Sequence, residues 1–70
     1  MSDDPQDWYF TFGAGQEHDH HYVCVKNSTF GDARMKMIKV YGIAWSGQYS
    51  VQQFLHLGLD SRMTLLREID

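Results

Sequence analysis

Five consecutive residues, Trp8-Tyr9-Phe10-Thr11-Phe12, leave this chain few ways to fold. All are aromatic or β-branched, types that lose rotamer freedom in a helix and fit the pleat of a strand. Alternation puts Trp8, Phe10 and Phe12 on one face. Those rings need cover, and covalent help is absent: the chain has one cysteine, Cys24, so no intrachain disulfide can form. A chain of 70 residues buries only about 60% of the surface it exposes when unfolded, so each ring of roughly 150–250 Å² matters to stability. The expectation is one small domain over residues 8–70, preceded by a flexible acidic tip at 1–7.

The segments after Phe12 read in order. Gly13-Ala14-Gly15 ends the first strand, Gln16 to His20 is a polar loop, and His21 to Lys26 is a second strand, the simplest pairing being an antiparallel hairpin. Asn27-Ser28-Thr29 stops it. Thr29 as N-cap with Asp32 three residues on predicts a helix over 30–41, closed by Gly42 in a left-handed conformation. Its core side is expected at Phe30, Ala33, Met37, Val40 and Tyr41. Residues 43–49 alternate as a third strand, placing Ile43, Trp45 and Tyr49 together, with Gly47 as a bend. Ser50 with Gln53 has capping-box spacing, predicting a short helix over 51–57 before Gly58. The tail 62–69 fits a last strand, although Leu59, Met63 and Leu66 would also suit a helix. The fold class is therefore α+β: a small, mostly antiparallel sheet, β-β-α-β, then a short helix and a last strand, with one helix packed on the sheet.

Composition narrows function. Six basic residues against nine acidic ones give a net charge of −3, which argues against non-specific nucleic-acid binding, where a basic surplus supplies most of the affinity. The acidity is too mild for a DNA mimic. The polar start and the lack of any run near 20 apolar residues argue against a leader or a membrane span. With one cysteine, a cytoplasmic location, in a host cell, is the expectation.

Three constellations remain. His18, His20 and His21 beside Glu17 and Asp19 could chelate a transition metal, but no established ligand spacing is present and a solvated loop is the simpler reading, so no metal or cofactor is assigned. Gly13-Ala14-Gly15-Gln16 follows a strand as an anion-binding turn would, yet lacks the third glycine and the helix of a dinucleotide fingerprint. Cys24 lies mid-strand, and no nucleophile elbow, carboxylate pair or P-loop exists, so no catalytic residue is assigned and the chain is read as a non-enzyme. The ten aromatics exceed what so small a core buries, which predicts a ring-lined recognition face.

The string Tyr9-Phe10-Thr11-Phe12-Gly13, Gly15-Gln16, a histidine, Tyr22-Val23, Ala33-Arg34, Met37, Tyr41-Gly42, Trp45 and Gln48-Tyr49 resembles a group of short phage and prophage proteins. Their pattern runs FTFGxGQ, a histidine, YV, AR, M, YG, W and QY. The resemblance covers residues 9–49. This chain departs from it at Lys26 and Asn27, where the group tends to acidic residues or glycine, and in the tail after Tyr49. The resemblance implies a bacteriophage or mobile-element origin and carries no mechanism.

Together these readings favour a phage-type accessory protein that binds a host protein, as an anti-defence or host-takeover inhibitor would. Gln16, His18 and His20 in the loop, with Trp45 and Tyr49 alongside, are the candidate binding residues. The alternatives are a binder of a small ligand or nucleotide signal, through Gly13–Gln16 and the imidazoles, and a histidine-loop metal-binding protein. The open sheet also leaves edges that a second copy could pair, which would make a homodimer.

Overall fold

A computed structural model describes residues 5–13 and 15–70. The expected tip at 1–7 lies mostly outside that range, and its last two residues, Gln6 and Asp7, belong to the first strand. The elements run β1 (Gln6–Phe12), β2 (His21–Ser28), α1 (Phe30–Tyr41), β3 (Trp45–Ser50), α2 (Val51–His56), α3 (Leu59–Arg62) and β4 (Thr64–Ile69). This is a small α+β fold around a mixed four-stranded sheet ordered β3-β1-β2-β4. β1 pairs antiparallel with both β2 and β3, and β4 lies parallel to β2. Among the described residues, no helix is long and apolar enough to cross a membrane.

Local chemistry explains the elements. Thr29 accepts a hydrogen bond from the Asp32 amide and caps α1, and Gly42 ends it at a positive φ of 66°. Ser50 and Gln53 form both bonds of a capping box at the start of α2. Gly58 adopts a left-handed conformation and leads into α3, a single turn without a side-chain cap that lies between the expected helix over 51–57 and the expected last strand, taking Arg62 from the latter. The second strand does not stop at Lys26. It continues to Ser28 through a bulge, in which Asn27 takes φ 51° and its amide donates to the Asp7 carboxylate at 3.2 Å.

Helices cover both sides of the sheet. On the α1 side, Phe10, Phe12, Val23 and Val25 pack beneath Ala33 and Met37, flanked by Trp8, Tyr41, Trp45, Leu66 and Ile69. On the other side, Phe54 of α2 is buried against Tyr9, stacked at 4.3 Å, and against Tyr22 at 4.8 Å. Cys24, opposite Tyr9 in the ladder, is buried on that second side. Two thin apolar layers thus replace one thick core. Two residues expected in the core, Phe30 and Val40, are instead 50% and 42% exposed at the flanks of α1.

β3 is shorter than expected and differently faced. It begins at Trp45, while Ile43 stands outside it at 89% exposure. Trp45 pairs with Phe12 but Gly47 pairs with Thr11, so two β3 residues oppose a single step of β1. That bulge reverses the parity of everything after it. Trp45 therefore joins Phe10 on the α1 side, edge to face at 5.0 Å, whereas Tyr49 pairs with Tyr9 on the α2 side. The expected grouping of Ile43, Trp45 and Tyr49 does not occur.

Candidate functional site

The loop between β1 and β2 folds back on itself. The amides of Gln16, Asp19 and His21 donate to the carbonyls of Gly13, Gln16 and His18, and the Asp19 carboxylate accepts from the Gly15 amide at 3.0 Å. These turns send the three histidines different ways. His18 lies edge-on to Phe12 at 5.1 Å and to Tyr41 at 5.5 Å, and those two rings meet each other at 5.3 Å. His20, at φ 67°, points to solvent beside Asp19. The Nδ1 of His21 is tied to the Asp19 carbonyl at 3.0 Å. Among the described residues no three His, Cys, Asp or Glu side chains converge as a metal site would require.

The triangle of Phe12, His18 and Tyr41 forms one wall of a cleft of about 450 Å³, completed by Gln16, Glu17, Val40 and Ala44. Of the five residues proposed from sequence, Gln16 and His18 meet there. His20 leaves the loop on its outer side, Trp45 lies under α1, and Tyr49 is on the far side of the sheet. The sequence reading missed Tyr41 and Val40 as cleft residues because it assigned both to the core.

A second surface lies along α1. Arg34 places its guanidinium over the rings of Trp45, at 5.0 Å, and Phe30, at 5.5 Å. Trp45 is itself pinned, its indole N–H donating to the Gly42 carbonyl at 3.1 Å. Beside Arg34, Met35 is 63% exposed and Ile38 48%, and the helix pitch makes those two neighbours on the surface. The signal was present in the sequence, since Met35 and Ile38 fall off the stripe of Ala33 and Met37. The expected ring-lined face is largely consumed: Phe10, Phe12 and Phe54 are buried, and Trp8, Tyr9, Tyr22, Tyr41, Trp45 and Tyr49 are half-buried. Among the described residues, Phe30 is the one aromatic of the exposed large apolar side chains, the rest being aliphatic or methionine.

Compared with protein-family models, with curated proteins and with solved structures, the chain matches none.

Proposed function

We propose that this chain is a phage-type accessory protein that acts by binding a host protein in the host cytoplasm, in the manner of an anti-defence or host-takeover inhibitor, and not by catalysis. The observation that carries the reading is the two-sidedness of α1. Ala33 and Met37 are fully buried against the sheet, while Met35 and Ile38 stand exposed on the same helix, with Ile43 beyond its end. A helix with apolar residues outside its core stripe has a second surface to cover, and a partner protein supplies that cover. The resemblance of residues 9–49 to short phage proteins supports placing the partner in a bacterial host. Affinity capture from host lysate with the wild type and with Ile38→Asp tests it. One protein should be enriched by the wild type and lost with the variant, both chains melting within a few degrees of each other. No enrichment, or enrichment indifferent to Ile38, would count against the reading.

The cleft supports a second reading, a binder of a small ligand or nucleotide signal. Its volume lies within the range of about 300–1,000 Å³ usual for such sites, and Gln16 and His18 place polar groups beside the rings of Phe12 and Tyr41. Calorimetry against a nucleotide panel separates the two. Heat at micromolar levels that disappears with Tyr41→Ala favours the ligand; a silent panel removes it.

A further inference from the structure

Arg34 is a charge on this surface that rings hold in place and no acid meets among the described residues. Its guanidinium lies over two rings, Trp45 and Phe30, at 5.0 and 5.5 Å, an arrangement that removes rotamer freedom before any partner arrives. Among the described residues, no carboxylate pairs with it; the ion pairs found are His20 with Asp19 and Lys26 with Glu68. A guanidinium presents five N–H donors in a planar fork that fits a carboxylate through two parallel bonds.

The charge distribution points the same way. Within α1, Arg34, Lys36 and Lys39 stand against Asp32, so the helix carries +2 in a chain of net −3, and the other residues together carry −5. The positive helix also carries exposed apolar side chains, Met35 and Ile38, with Ile43 just beyond its end. A purely phosphate-binding helix would have no use for Met35, Ile38 and Ile43, and a purely apolar contact would leave Arg34 unanswered.

We infer that the face formed by Phe30, Arg34, Met35 and Ile38, with Trp45 half-buried beneath the Arg34 guanidinium, is the docking surface, and that its partner is a protein segment presenting an Asp or Glu carboxylate among apolar side chains. Arg34 receives the carboxylate as a bidentate pair, and Met35 and Ile38 cover the neighbouring apolar groups. An arginine at the centre of an apolar patch, braced from beneath by a tryptophan, is a composition in which binding energy concentrates. The inference rests on the protein-binding reading above and adds the chemistry of the partner.

The test is selection of peptides from a random displayed library on the immobilised full chain, with Arg34→Gln and Ile38→Asp in parallel and thermal melts of each as fold controls. The wild type should enrich peptides with Asp or Glu next to Leu, Ile, Phe or Trp, and Ile38→Asp should enrich none of them. A synthesised winner should lose about tenfold in affinity when its acid becomes the amide, and Arg34→Gln should bind acid and amide forms equally. Apolar peptides without acid preference would overturn the carboxylate inference while leaving protein binding in place. Enrichment unaffected by Ile38→Asp would overturn both. Binding of a short single-stranded DNA through Arg34, or self-association lost with Arg34→Gln, would overturn the choice of partner.

Discussion

Gly47 shows how much a single residue fixes on β3. A Cβ built there would lie 3.0 Å from the Tyr49 hydroxyl and 3.1 and 3.2 Å from two of its ring carbons, because the ring folds back over the glycine two positions earlier. Gly47→Ala should therefore push the Tyr49 ring aside by a few tenths of an ångström, and because that ring is half-buried on an edge strand the net change in stability should stay within about 1 kcal/mol. The urea midpoint and the Tyr49 ring resonances read this out, and an unchanged midpoint with unmoved resonances would refute the crowding. The sequence suggested a bend at Gly47 but not its reason. A ring lying over its own strand depends on χ angles and on Tyr9 across the ladder, neither of which alternation encodes.

Among the elements, α2 is short but holds the second layer in place. Six residues make a poor helix alone. The Ser50–Gln53 capping box starts it and Phe54 anchors it, with 1% exposure against Tyr9 and Tyr22. Phe54→Ala should cost about 3–5 kcal/mol, against the roughly 3.5–10 kcal/mol of total stability expected at this length. The far-UV signal should melt at a much lower temperature or be lost at the outset. The neighbouring Leu55, 55% exposed, gives the control: Leu55→Ala should stay within about 0.5 kcal/mol of wild type. Equal effects from both would mean that α2 does not pack as described. The box was legible in the spacing of Ser50 and Gln53; the target of Phe54 was not, because it lies more than forty positions back at Tyr9.

At the scale of the whole molecule, the layer between sheet and α2 makes stability depend on alkaline pH. Burial pushes the Cys24 thiol above its ordinary value of 9.0, with Asp7 adding to the rise. Burial, with Cys24 alongside, likewise raises the Tyr9 phenol above 10.0. Both groups are neutral below these values in either state, so the stability they contribute is complete there. As pH rises past 9.0 the unfolded chain loses its protons first, and stability falls until the folded values are passed. Lys26 acts in the same direction at the surface, its hydrogen bond to Glu68 at 2.7 Å raising it above 10.5. The urea midpoint should hold level from about pH 7 to about 8.5 and decline by about pH 10.5, less steeply in a Cys24→Ala, Tyr9→Phe double variant. A decline identical in the two chains would assign the effect to other groups.

Taken alone, the sequence determined what depends on neighbours within a few positions. The strand at Trp8–Phe12, the capped helix over 30–41, the box before Val51 and the α+β class all follow from residue type, period and cap spacing. Tertiary structure alone decided which face each residue serves. The β3 bulge separates Trp45 from Tyr49, the parallel placement of β4 beside β2 sets the sheet order, and α2 covers the side that holds Cys24. The reason is physical: caps and periodicity are satisfied within a turn or two of chain. Register, strand order and the burial of a given ring depend on residues far away in sequence, so the cleft and the Arg34 surface exist only once the layers have come together.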